Sequence, residues 1–158
     1  MSEVVPIDME IRRKVVDFIT ENWGSSIIVT KGKIHRAEEL LGYTVISTGE
    51  IKALITYDIV DGECEIVCLE SSIENQGIGT ALIEKVIQTA QNNGCKRVWL
   101  ITTNDNTKAI RYYQRRGFDM VGLYTNVIQE SRRIKPQIPL KGFDDIPILH
   151  EIEFQMIL

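Results

Sequence analysis

Two glycines one residue apart, Gly77 and Gly79, sit in the stretch Glu74-Asn75-Gln76-Gly77-Ile78-Gly79-Thr80-Ala81-Leu82, between a strand-like run and a long helical pattern. Backbone of this kind can turn tightly with its N–H groups aimed one way. A helix starting there adds its own unpaired N–H groups and the positive end of its dipole. Together they make a phosphate site, and here more readily one for a pyrophosphate carried by a cofactor. The same Gly-x-Gly pattern also forms plain tight turns, so its neighbours must decide. A nucleoside triphosphate loop would carry Lys-Ser/Thr after Gly79, and a dinucleotide loop a third glycine in place of Leu82; neither is present.

Other residues able to do chemistry are few. Cys64, Cys68 and Cys95 are odd in number. A strand period puts Cys64 and Cys68 on one face with no second Cys/His pair nearby, so no metal site is expected and the three read as reduced, mostly buried thiols. His35 and His150 are the two histidines. His150 falls on the apolar side of an alternating tail, where a core or edge histidine is expected rather than a catalyst. The basic cluster Arg132, Arg133 and Lys135 reads as a solvated helix face.

With 158 residues, 44% hydrophobic and 25% charged, the chain suits one soluble domain spanning 1–158 with a substantial core. A net charge of −4 argues against nucleic acid as a partner, while leaving room for a cationic small molecule or basic peptide. The first ten residues have no basic-then-apolar layout, and no apolar run reaches membrane-spanning length; a cytoplasmic protein with no membrane partner is the expectation.

The elements that must position the glycine loop follow from periodicity. Residues 8–22 carry Ile11, Val15, Phe18 and Ile19 at helical spacing, with Asp8 as N-cap and Gly24 as stop. Residues 26–30 read as a buried strand and residues 32–41 as a loop over the sheet. Residues 43–47, 50–60 and 63–69 form a meander through turns at Thr48-Gly49 and Asp61-Gly62. In the last strand Glu63, Glu65, Val67 and Leu69 share one face and Cys64, Ile66 and Cys68 the other. A helix over 77–93, a strand over 97–103, a helix over 107–116 and a strand over 118–124 imply at least one parallel pair covered by helices. Residues 126–142 hold one short helix and a loop. The tail is a half-buried strand with Ile148, His150, Ile152, Phe154, Met156 and Leu158 inward and Glu151, Glu153 and Gln155 outward.

This order of elements and motifs resembles the GNAT superfamily of N-acetyltransferases. That family's pyrophosphate motif, Gln/Arg-x-x-Gly-x-Gly/Ala, is matched by residues 74–79, with Glu74 where Gln or Arg is usual. Its downstream signature, Asn-x-x-Ala-x-x-aromatic-Tyr-x-x-x-Gly-Phe, is matched by Asn106, Ala109, Tyr112, Tyr113, Gly117 and Phe118. The resemblance covers roughly residues 8–125, with the tail strand extending it. It implies an α/β (α+β) fold: a mixed, mostly antiparallel, splayed sheet of about six to seven strands flanked by helices.

It also implies transfer of an acetyl group from acetyl-CoA to an amine, with no metal. The N–H groups of Gln76, Gly77, Ile78, Gly79 and Thr80 would hold the pyrophosphate. Cys68, Leu69 and Ser71 would form the strand edge with which the pantetheine arm pairs, the Leu69 N–H meeting the thioester oxygen. An ammonium is no nucleophile, so a base is needed; Glu65 is the first candidate, with Glu63 and Glu70 as alternatives. Tyr113 matches the tyrosine that meets the leaving thiolate, and Tyr112 reads as core. Asn106 would cap its helix, bond the pantetheine, or both. Arg115 or Arg116 could meet the 3′-phosphate of CoA.

No cysteine neighbours a histidine in sequence, so direct attack in a ternary complex is expected rather than an acyl-enzyme. The acidic Asp58, Asp61, Glu63 and Glu65 hint at a cationic acceptor, small molecule or protein. A rival of another class is a CoA-binding sensor that keeps the cleft without catalysis. The alternating tail could also pair with a second chain, which would give a homodimer.

Overall fold

Three two-residue turns set the antiparallel half of the chain. Lys31-Gly32, Thr48-Gly49 and Asp61-Gly62 each place both residues at positive φ, the geometry whose twist matches the strands it joins. In a computed structural model describing residues 3–73 and 77–158, the order is β1 (Glu3–Pro6), α1 (Arg12–Trp23), β2 (Ile27–Thr30), β3 (Lys33–Arg36), β4 (Leu41–Ser47), β5 (Glu50–Val60) and β6 (Glu63–Ser71). There follow α2 (Ile78–Asn92), β7 (Arg97–Thr103), α3 (Thr107–Arg115), β8 (Asp119–Tyr124), α4 (Ile128–Ile134), a 3-10 turn at Phe143–Asp145, and β9 (Glu151–Ile157).

Seven strands form one sheet in the order β1-β4-β5-β6-β7-β9-β8, and β2 and β3 make a separate hairpin. Every neighbouring pair in the sheet is antiparallel except β6 and β7. On one face Leu82, Ile83, Val86 and Ala90 of α2 and Tyr113 of α3 pack on Ile55, Ile66, Val98 and Phe154. On the other, Val15 and Ile19 of α1 pack on Leu54, Val67 and Cys68. Removing these side chains from water is the main force fixing both helix layers to the sheet.

The feature that makes a site is a fork. β6 and β7 pair only from Glu63↔Arg97 to Ile66↔Leu100, although both strands continue. Just past the last pair, β6 bulges: Thr56 opposes Cys68 and Tyr57 opposes Ile66, leaving Val67 as an extra residue.

The bulge overturns one expectation. Alternation reverses across it, so Cys68 joins Val67 in the core under α1, and Leu69 packs with the Cys64 and Ile66 cluster on the other face. The residues expected as a loop over 32–41 contain β3. The tail strand starts at Glu151, so Ile148 and His150 precede it; His150 accepts the Asn126 N–H through Nδ1. Its outward row is also not solvated, since Glu151 and Glu153 are 2% and 5% exposed. Finally, β9 lies between β7 and β8, so both its edges are paired within the chain and the tail is not the strand a second copy would add to.

Candidate functional site

The glycine loop ends at Gly77, the N-cap of α2, whose φ of 70° is left-handed backbone that any residue with a Cβ adopts at a cost. Its Cβ would meet nothing, so the requirement there is conformational. At Gly79 a Cβ would overlap the Tyr112 hydroxyl, the far end of a side chain that would have to move aside. Among the described residues, the first i→i−4 bond of the helix is Ala81 N–H to Gly77 C=O at 3.0 Å. The N–H groups of Ile78, Gly79 and Thr80 precede it and aim out of the helix end, where the dipole favours an anion.

The opposite wall is the free edge of β6. The Cys68 N–H turns toward β5, donating to Thr56 Oγ1 at 3.2 Å, and the Ser72 N–H likewise donates to the Lys52 carbonyl at 2.8 Å. Strand alternation therefore turns the N–H groups of Leu69 and Ser71 toward the open fork. Between edge and helix end lies a cleft of about 800 Å³, lined by Leu69, Glu70, Ser71, Ile73, residues 77–80 and the α3 side chains from Asn106 to Arg116. A cavity of this size suits a cofactor-sized ligand.

α3 brings the remaining groups. Asn106 caps it, accepting the Ala109 N–H at 3.1 Å through its side chain. Tyr113 is 8% exposed, lines the cleft, and stacks edge-on with Tyr112 and Phe118. Burial pushes its hydroxyl well above the ordinary tyrosine range, with Tyr112 adding to the effect, so it stays a proton-bearing donor. Arg116 is held: its guanidinium lies over the Tyr112 ring and donates to Thr80 Oγ1 at 3.1 Å. Burial also raises the Glu70 carboxyl.

Eight of the residues named from sequence thus meet around one cleft: Leu69, Ser71, Gly77, Ile78, Gly79, Thr80, Asn106 and Tyr113. Glu74 and Gln76 lie outside the described residues. Cys68 is not on the cleft wall; its Sγ is 3.0 Å from Thr56 Oγ1, and burial pushes its thiol up to about 12.

Glu65 lies beyond the crotch of the fork, 4% exposed, under the β2–β3 hairpin. Thr30 Oγ1 donates to its Oε2 at 2.7 Å, and His35 Nε2 is 3.4 Å from Oε1 and 2.9 Å from Thr30 Oγ1. His35 Nδ1 in turn faces Asp58 at 3.8 Å. Glu63 is paired with Arg97 Nε at 2.6 Å. Beside this cluster, Lys31 at the hairpin tip donates its backbone N–H to Glu151 and its ammonium to Glu153. Sequence reasoning gave no role to Thr30, Lys31, His35, Glu151 or Glu153. The available signal was Lys31-Gly32, a two-residue turn between two apolar runs, which would have folded His35 back over the sheet.

Among the described residues no group of three or more His, Cys, Asp or Glu side chains could hold a metal, and no helix is long and apolar enough to cross a membrane.

Residues 10–118, a span with the meander, the fork, the glycine loop and α3, match the family described as Acetyltransferase (GNAT) family. The chain belongs to that family. It is 38% identical over 159 residues to YdhI of Bacillus subtilis strain 168, an uncharacterised protein, with 100% of this chain and 99% of YdhI covered. To YxbD of the same organism it is 39% identical over 150 residues, covering 94% of each. A GNAT family acetyltransferase from Elizabethkingia anophelis, solved with acetyl-CoA bound, shares the fold with a TM-score of 0.74 at 19% identity, covering 99% of this chain and 98% of that one. The mixed, mostly antiparallel GNAT sheet flanked by helices is therefore the architecture of this chain as well.

Proposed function

We propose that this chain moves the acetyl group of acetyl-CoA to a primary amine of a small molecule or protein, by direct attack within a ternary complex. The observation that carries this reading is the fork, with two strand N–H groups on one wall, a glycine-opened helix end on the other, and a buried tyrosine at the join. Residues 77–80 would hold the pyrophosphate. Leu69 and Ser71 would pair with the pantetheine as an added strand does. The Leu69 N–H would then stabilise the oxyanion as the amine attacks the thioester carbon.

The amine must shed a proton first. Glu65 is the group for this, directly or through one water, and Thr30 fixes its carboxylate in place. The neighbouring His35 and Asp58 would carry the proton onward. As the C–S bond breaks, the thiolate takes a hydrogen bond from Tyr113. A phenol raised above about 10 does not surrender its proton fully to a thiolate whose conjugate acid is near about 8.5, so Tyr113 stabilises the leaving group by donation. Three buried free thiols support a reducing compartment, the cytoplasm.

The test is ligand selectivity followed by turnover. Acetyl-CoA should raise the melting temperature while NAD and ATP do not, since only a selective ligand stabilises the fold. With a panel of amines, Tyr113→Phe should lower kcat about tenfold or more while acetyl-CoA affinity changes less than about twofold. Tight CoA binding without transfer to any amine would make the chain a sensor instead.

A further inference from the structure

Lys31 sits where its backbone is poorly suited. It is the first residue of a two-residue turn at φ 48°, a place that favours Asn, Asp or Gly. What its side chain finds there is a cage. The ammonium is 3.0 Å from Glu153 Oε1, 4.8 Å from the Tyr124 ring centroid and 5.4 Å from that of Trp99. These walls come from three neighbouring strands, and the Tyr124 hydroxyl donates to the same Glu153 oxygen at 2.9 Å. A carboxylate with two ring faces is the chemistry that selects an organic cation.

The cage has further negative charge to hand. Glu151 is 2% exposed, and the bonds it receives from the Lys31 N–H are long, 3.3 and 3.4 Å. It lies close enough to Glu65 for that charge to raise its own carboxyl, after the larger effect of burial. The cage and the Glu65 cluster are thus adjoining parts of one buried, carboxylate-rich region, both covered by the tip of the same hairpin.

We propose that this cage is an anchor subsite for a second, non-reacting cationic nitrogen of the acceptor, and that Lys31 is its built-in occupant, displaced when a diamine-type acceptor binds. The inference rests on the acetyltransferase reading above and names its substrate class. A reacting amine must become neutral, whereas this environment holds an ammonium charged: burial opposes the charge on Lys31, but its bonds to Glu153 and Tyr124 outweigh that and keep it above the ordinary lysine range. A site that strengthens the charge is an anchor, and the reacting end belongs by Glu65. Arg97, which donates to both Glu63 and Glu153, stays as the fixed countercharge.

The experiment compares 1,5-pentanediamine with pentylamine as acceptors for the full chain and for Lys31→Met, whose shorter, uncharged side chain lacks the terminal nitrogen that fills the cage. Emptying the cage should lower KM for the diamine about tenfold and move that for the monoamine less than about twofold; Glu153→Gln added to Lys31→Met should abolish the gain. Equal changes for both amines, or none, would overturn the proposal. Calorimetric titration of the same amines into the variants reads the subsite without turnover. Failure of transfer alone would therefore sink the acetyltransferase reading, and failure of diamine binding the anchor. Should Lys31→Met not fold, pentanediamine added to the unmodified chain should raise the acylation of Lys31 by N-hydroxysuccinimidyl acetate severalfold relative to Lys14. Unchanged Lys31 reactivity would count against displacement.

Discussion

Thr30 donates its hydroxyl hydrogen to Glu65 Oε2 at 2.7 Å, tying a residue of the separate hairpin to the last paired stretch of β6. The bond joins the two halves of the proposed acceptor side. Without it the hairpin would rest on Glu65 through His35, whose contact with the carboxylate is 3.4 Å.

Replacing Thr30 with Val keeps the shape and removes the donor. A buried carboxylate that loses a hydrogen-bond partner costs about 1–3 kcal/mol, so the variant should unfold at lower denaturant and melt roughly 2–12 °C lower. An unfolding midpoint equal to that of the parent would show that the hydroxyl carries no such load.

Glu65 and Glu70 make opposite claims as the base. Glu70 lines the cleft and is raised by burial, whereas Glu65 is held by Thr30 under the β2–β3 hairpin. Gln at 65 can still accept the Thr30 hydroxyl, so Glu65→Gln should fold normally and lose kcat by about 10²–10⁴, the range for a positioned base. Glu70→Gln should lose less than about tenfold on the same scale. The reverse ranking, measured by steady-state kinetics with acetyl-CoA saturating, would move the base to Glu70.

Much of the cleft was readable in the chain because its parts are local. Gly77-Ile78-Gly79 and the Asn106–Phe118 signature each lie within one turn or one helix, where identity and spacing dictate geometry. The proposed acceptor side was not readable, because it is built from residues up to 122 apart, as Lys31 and Glu153 are. One bulge at Val67 also reversed the faces of β6 beyond it, which no period-two count can anticipate. The tail misled for a related reason: Glu151 and Glu153 follow the polar alternation of a solvated row, yet the hairpin tip covers them.

At Gly79 a methyl group would collide with the Tyr112 hydroxyl, and Tyr112 carries the Arg116 guanidinium over its ring. Gly79→Ala should therefore shift Tyr112 and Arg116 together and misplace the helix end. Acetyl-CoA affinity, measured by calorimetry, should fall about tenfold or more, a cost of about 1.4 kcal/mol. Retention of full affinity would mean that Tyr112 yields without disturbing the loop.

Glu151 gives the last test, through pH. Burial first, and then the charge of Glu65, raise its carboxyl in the folded chain above the usual value. Between the unfolded and folded values the native state then holds more protons than the unfolded one. Stability from this group therefore falls as pH rises through that window, and its cost is fully expressed above it. Glu151→Gln removes the ionisation while keeping an acceptor for the Lys31 N–H. Its melting temperature should exceed the parent's by a few degrees at pH 7 if that window lies below neutrality. The gain should shrink as pH falls toward about 4.3, where the carboxyl is protonated in the native state anyway. A gain that persists unchanged at low pH, or a loss at pH 7, would mean that Glu151 is held by its charge and not in spite of it.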